Sequence, residues 1–217
     1  MSKVLFKDRA EAGRRLAAAL SEFKGQDVVV LAIPRGGVAV GSEVAGVLGA
    51  PLDVVVTRKI EAPGEPEYAL GAVTQEGEVI MDRQAAESLG ATKEYLDSQV
   101  RKKKAEVEER VRKFRGDRKF PVLEGKTVII VDDGIATGSS VGAAVMSVKK
   151  RSPKMLVVAV PVAPPDAVET LSEDVDRVVC LERPTEFLSI GEFFGNFDQV
   201  EDEDVKRILE DGWARRG

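Results

Sequence analysis

The chain has 217 residues, 43% hydrophobic and 32% charged, with 20 Gly, 10 Pro and a formal charge of −5; this suits one large α/β domain, or a domain with an appended lid, and excludes collagen-like, mucin-like and broadly disordered chains. The acidic excess argues against a general nucleic-acid surface, and zero His with a single Cys, Cys180, removes His-based triads, the usual zinc site and an intrachain disulfide, leaving Asp and Glu for hard-cation chemistry. Met1-Ser2-Lys3 opens no apolar signal segment and no uncharged run reaches the ~20 apolar residues of a membrane span, so the expectation is a cytoplasmic protein with no membrane partner.

Asp8 as cap and apolar positions at Ala10, Leu16, Ala17 and Leu20 predict an opening helix that ends near Gly25. Asp27 to Ile33 is short, β-branched and continuous, as a parallel strand covered on both faces should be. It stops at Pro34-Arg35-Gly36-Gly37; Val38 to Leu48 then suggests a helix closed by Gly49, and Leu52 to Val56 a second strand, completing a βαβ unit. Between Glu61 and Glu78, Pro63, Gly64, Pro66, Gly71 and Gly77 surround a short apolar patch, which predicts a mobile loop joined to a hairpin.

Thr92 to Phe114 places Leu96, Val100, Val107, Val111 and Phe114 on one helical stripe interrupted by Lys103. From Lys93 to Lys119 there are 11 basic and 6 acidic residues, but Glu106, Glu108 and Glu109 break the basic run, so a long surface helix is preferred to a nucleic-acid arm. Thr127–Val131, Leu156–Val160 and Arg177–Leu181 are three more buried-type strands, with helices near Val141–Lys150 and Asp166–Leu171. The alternation predicts a doubly covered parallel sheet. From Glu182 to Asp211 the chain turns to 10 acidic against 3 basic residues with Phe187, Phe193, Phe194 and Phe197, as expected of a tail or lid.

Chemistry concentrates in Val128 to Ser140, VIIVDDGIATGSS: a strand ending in two carboxylates, then a Gly- and hydroxyl-rich turn that opens a helix. Such a turn offers backbone N–H groups and the positive end of a helix dipole to an anion, with Thr137, Ser139 and Ser140 as hydroxyl donors and Gly138 allowing close approach. A phosphate alone would be repelled by Asp132 and Asp133. A sugar phosphate would not, because carboxylates accept hydrogen bonds from ring hydroxyls and attract Mg²⁺.

This segment resembles the 5-phosphoribosyl 1-diphosphate (PRPP) binding signature of the type I phosphoribosyltransferases. The resemblance covers about Asp27 to Leu181 and implies that family's doubly wound parallel α/β sheet, with an inserted hairpin and long helix over residues 59–119 in a core of residues 1–181, and a C-terminal hood over 182–217. It implies a Mg²⁺-dependent transfer of the phosphoribosyl group to a nitrogen nucleophile, a small-molecule acceptor and a homodimer. Asp132 and Asp133 are assigned to ribose hydroxyls and, directly or through water, to Mg²⁺; Gly134, Ile135, Ala136, Thr137, Gly138, Ser139 and Ser140 to the 5′-phosphate. Arg35, Gly36 and Gly37, with a cis peptide between Pro34 and Arg35, and Lys59 are assigned to pyrophosphate, and Glu182, Phe187 and Phe193 to the base.

Two positions depart from the hypoxanthine-guanine pattern. Glu182 stands where a lysine would read the 6-oxo group, and Ala136 where an acid would manage the proton, so hypoxanthine and guanine are expected to be poor acceptors. The same fold also serves PRPP-sensing regulators, for which the basic Arg101–Arg118 region would be the output surface. A phosphatase built on Asp132 and Asp133 is weaker, because these acids precede a phosphate cradle rather than flank a nucleophilic Asp.

Overall fold

The computed structural model describes residues 4–214; the opening Met1-Ser2-Lys3 and the last three positions of the tail lie outside the described residues. Asp8 accepts the Glu11 N–H at 2.8 Å and starts α1 (Arg9–Ala19). Then come β1 (Val28–Ala32), α2 (Gly36–Leu48), β2 (Leu52–Val54), β3 (Arg58–Ala62), β4 (Glu65–Val73), β5 (Val79–Met81), α3 (Arg83–Ser88) and α4 (Lys93–Arg115). After α4 follow β6 (Thr127–Val131), α5 (Ser139–Lys149), β7 (Met155–Val162), α6 (Pro165–Ser172), β8 (Arg177–Glu182) and α7 (Asp202–Ala214).

The main sheet runs β2-β1-β6-β7-β8, all parallel. Apolar side chains leave its strands on both faces, because helices cover both. Leu16, Val38, Val44 and Leu209, from α1, α2 and α7, pack with Val30, Ile129 and Val157 on one face. Val141, Val145, Val148, Val168 and Leu171, from α5 and α6, pack with Val29, Ile130 and Val158 on the other. The chain leaves β1 for β2 in one direction and continues from β6 in the other, so the order reverses between β1 and β6. A doubly wound sheet opens a crevice for ligands at that point, beyond the carboxyl ends of its strands.

Three expectations need correction. The segment from 61 to 78 is more ordered than a loop and hairpin: β3, β4 and β5 form a three-stranded antiparallel sheet with Ile60, Ala62, Leu70 and Val73 buried. Gly71 makes no turn there; a Cβ at that position would overlap the carbonyl of Ile80, so the glycine lets β5 close on β4. Secondly, Lys103 is no gap in the helical stripe but a buried residue, 3.3 Å from Glu61 of β3.

The third correction concerns the tail, which is not a single lid. Its Phe-rich part joins the N-terminus, where Leu5 and Phe6 N–H groups donate to the Phe193 carbonyl at 2.9 and 3.0 Å and Gly195 donates to Phe6 at 2.8 Å. Phe6 stacks on Phe194 with ring centroids 5.3 Å apart. The later part, α7, packs on α2, α4 and β2 instead. Sequence distance hid this, since residues 4–7 and 193–196 meet only after the whole sheet has formed.

Candidate functional site

Ala32 of β1 pairs with Val131 of β6, and Ile33 N–H donates to the Val131 carbonyl at 2.9 Å. Pro34–Gly37 and Asp132–Ser140 therefore leave the switch point side by side. The Pro34–Arg35 peptide is cis, as the resemblance implied, and Arg35 caps α2. A Cβ on Gly36 would overlap the Asp133 carboxylate, and one on Gly37 would lie 2.8 Å from the Val131 carbonyl and 2.9 Å from Asp132 Cα. Both glycines are needed because backbone itself rests on the two acids.

Asp132 Oδ1 accepts the Asp133 N–H at 2.9 Å. Enclosure by protein pushes the Asp132 carboxyl well above the ordinary carboxylate range, and the adjacent Asp133 carboxyl pushes it further; Arg9 offsets part of this. Asp133, itself buried, receives Arg9 Nε on Oδ2 at 2.7 Å.

Sequence reasoning missed Arg9. Its Nη1 also donates to the Asp198 carbonyl at 2.7 Å, and its guanidinium lies 3.7 Å from the centroid of the Phe197 ring. One side chain thus ties α1, the acid pair and the Phe-rich cap together. A sequence signal existed: a cation in the first turn of a helix sits at the positive end of the dipole, so a partner elsewhere should be sought.

The anion turn has a floor and an open rim. Ile135 is buried in the core, and its N–H donates to the Val162 carbonyl at 2.9 Å, so it supports the turn and does not donate to a ligand. Gly134 fits against Ile190, whose Cγ2 would be 2.6 Å from an added Cβ. Ala136, Thr137 and Ser140 are exposed, Gly138 takes the left-handed conformation (φ 79°) as α5 begins, and the Thr137 and Ser139 hydroxyls lie 3.1 Å apart. Exposed donors at a helix N-terminus beside two carboxylates can hold a phosphate and the hydroxyls next to it.

The remaining candidates divide. Arg35 lies 3.8 Å from Asp202 of α7. Lys59 is on β3 opposite Ala72, in the small sheet that packs on α4 and α5. Glu182 turns to α1, where Arg15 Nη2 donates to it at 3.1 Å. Phe193 is 5% exposed and belongs to the core of the cap, in ring contact with the half-buried Phe187 at 5.2 Å. Of the two phenylalanine candidates, Phe187 is the less buried.

Among the described residues no group of three or more His, Cys, Asp or Glu could hold a metal ion. Two neighbouring carboxylates nevertheless fit Mg²⁺, which is often bound by one or two carboxylates with water and the phosphates of a substrate. The donor set suits a cation that arrives with a phosphorylated ligand.

A family model described as phosphoribosyl transferase domain matches residues 6–193. Two Mycobacterium tuberculosis proteins, whose names give only a provisional phosphoribosyl transferase assignment, are 40% identical over 206 residues, or 95% of this chain and 46% of theirs. This chain therefore spans about half the length of the curated relatives it matches. The crystal structure of TT1426 from Thermus thermophilus is similar, with 43% identity and a TM-score of 0.87 over 95% of this chain and 98% of that one. A purine phosphoribosyltransferase from Pyrococcus horikoshii has 19% identity and a TM-score of 0.49, covering 93% and 99% of the two chains.

Proposed function

The chain belongs to the phosphoribosyl transferase family, and from that premise we propose that it transfers the phosphoribosyl group of PRPP to a nitrogen nucleophile, with Mg²⁺ and with release of pyrophosphate. The observation that carries this reading is the contact of Gly36 and Gly37 with Asp132 and Asp133 beside the open N-terminus of α5. It supports a reading in which a glycine loop would take one phosphate group, the carboxylates the ribose hydroxyls and the α5 turn another phosphate within one crevice.

In this reading Thr137, Gly138, Ser139 and Ser140 hold the 5′-phosphate. Asp132 and Asp133 accept the ribose hydroxyls, with Arg9 keeping Asp133 in place. The bond from C1 to the diphosphate oxygen breaks as the acceptor nitrogen bonds to C1, and Arg35 with the glycine loop takes up charge growing on the leaving group. Bound Mg²⁺ would supply further neutralisation of the diphosphate from Asp132 and Asp133.

The expected weakness of hypoxanthine and guanine does not depend on repulsion by Glu182. Glu182 is held by Arg15 and so does not repel an oxo group. What counts against these bases is the lack of a lysine at that position and of an acid at Ala136.

Calorimetry with PRPP and Mg²⁺ tests the reading, and binding is expected to be lost when Asp132→Asn and Asp133→Asn are combined. Unchanged affinity in that variant would sink it. Pyrophosphate release across purines, pyrimidines and related amines then identifies the acceptor; PRPP binding without turnover of any of them would favour the sensor.

A further inference from the structure

Arg35 makes its one ion pair among the described residues with Asp202, the first residue of α7, and the pair is loose at 3.8 Å. Asp202 also holds Lys113 of α4. Its Oδ1 is buried yet receives no hydrogen bond among the described residues. Arg110 of α4 also acts on this carboxylate, and Arg58 of β3 lies close enough to act on Arg110. Arg58 of β3 is paired with Glu106 at 3.1 Å. Arg110 of α4 is half-buried and has no hydrogen bond or ion pair of its own among the described residues. Burial, and then the charges of Arg58 and Arg35, hold the Arg110 pKa below its ordinary value, against the pull of Asp202 and Glu106.

This arrangement is poor as a structural ion pair. Strong guanidinium–carboxylate pairs are hydrogen-bonded, often through two parallel N–H groups, whereas Arg35 stays 3.8 Å from Asp202 and Arg110 reaches no carboxylate within ion-pair distance among the described residues. A diphosphate would satisfy them, because its oxygens can accept from two forked guanidiniums and an ammonium at once. A long polyanion suits the place less well, since Glu106, Glu109 and Glu203 lie beside these cations. We propose that Arg35, Arg110 and Lys113 form a diphosphate subsite, and that Asp202 is its resident counter-ion, displaced when the diphosphate enters.

The inference deepens the reading of the crevice as a PRPP site and rests on it for which side receives the leaving group. It gives α4 and α7 a role in ligand binding that the family signature does not contain. The same chemistry could take the diphosphate of PRPP or that of a nucleotide, and the two sources separate by their dependence on the acid pair.

Calorimetry on the full chain with Mg²⁺, at one ionic strength, would compare PRPP, inorganic pyrophosphate and ADP. Arg110→Gln and Lys113→Gln are each expected to weaken diphosphate binding about tenfold, and Asp202→Asn to tighten it about threefold or more. A gain of affinity cannot arise from misfolding, so Asp202→Asn keeps the test decisive should a cation variant fail to fold. Loss of PRPP binding in both the Arg110→Gln and the Asp132→Asn/Asp133→Asn proteins assigns the subsite to PRPP. ADP binding that needs Arg110 but not the acids assigns it to a nucleotide. Folded Arg110→Gln and Lys113→Gln proteins with parental affinity for every diphosphate, or weaker binding in Asp202→Asn, would overturn the subsite. If PRPP binding still needs the acids in that case, only the subsite falls; if the parent protein binds pyrophosphate through Arg110 but not PRPP, only the PRPP reading does.

Discussion

At the end of β6 two carboxylates occupy consecutive positions, and their neighbours decide what each can do. Asp132 has a folded-state pKa above the ~3.9 of an unfolded Asp. A raised carboxyl favours the fold fully below the unfolded value, and that contribution is lost as pH rises through the folded value. Asp132→Asn should therefore raise the thermal midpoint at pH 7 by a few degrees and leave it unchanged near pH 3. Melting curves at the two pH values check this; equal midpoints at pH 7 would show that the carboxylate carries no penalty. Arg9→Gln should act in the opposite sense, since it leaves buried Asp133 without its cation. A loss of about 3 kcal/mol is expected in denaturant titrations, with Arg9→Lys restoring only part, because an ammonium cannot reproduce the fork that also reaches Asp198 and stacks on Phe197.

The elements around the crevice are positioned by a few close contacts. The start of α2 rests on β6 through Gly37, where an added Cβ meets backbone that cannot move aside. Gly37→Ala should cost about 1–3 kcal/mol and abolish PRPP binding, measured by unfolding and calorimetry. Gly46, in the same helix, has open space where its Cβ would be, so Gly46→Ala should gain about 0.5–1 kcal/mol. The long helix α4 is a strut. Tyr95 Oη and Lys103 reach Glu61 of β3 at 3.0 and 3.3 Å, while Arg115 bonds Asp53 at 3.0 Å, the Val54 carbonyl at 2.8 Å and Gln75 at 3.0 Å. Burial lifts the Asp53 carboxyl above its ordinary value even against Arg115. Arg115→Met should thus destabilise by about 3–5 kcal/mol by stranding a buried charge, and adding Asp53→Asn should recover part of that loss. A double variant no more stable than the single one would contradict this account.

Across the whole molecule, the crevice is closed by parts far apart in the chain. Phe6 is 1% exposed and joins Phe193 and Phe194 over Val162 at the end of β7. Phe6→Ala should cost about 3–5 kcal/mol and speed proteolysis between Phe187 and Phe197, because the cap loses its anchor to the N-terminus. Cleavage at the parental rate in a folded variant would show that the cap is held by other contacts. The opposite end of the tail, α7, brings Asp202 to Arg35 and Lys113, so the last helix takes part in the crevice's electrostatics without being part of the cap.

Sequence alone determined the main sheet and the placing of the acid pair and the glycine–hydroxyl turn at a strand end, since these follow from patterns local in the chain. Continuous β-branched runs announce strands buried on both faces, and two acids followed by a glycine–hydroxyl turn announce a strand end that opens into a helix. Charged side chains were less legible. Nothing local to Arg9, Lys103, Glu182 or Asp202 fixes a partner, because a long charged side chain takes its direction from whichever opposite charge the fold brings near. Those partners are 42 to 167 residues away for Lys103–Glu61, Arg9–Asp133 and Arg15–Glu182. Only the tertiary structure could decide that Arg9 belongs to the acid pair, that Glu182 pairs with Arg15, and that the N-terminus completes the cap, since each depends on which elements the doubly wound sheet brings together.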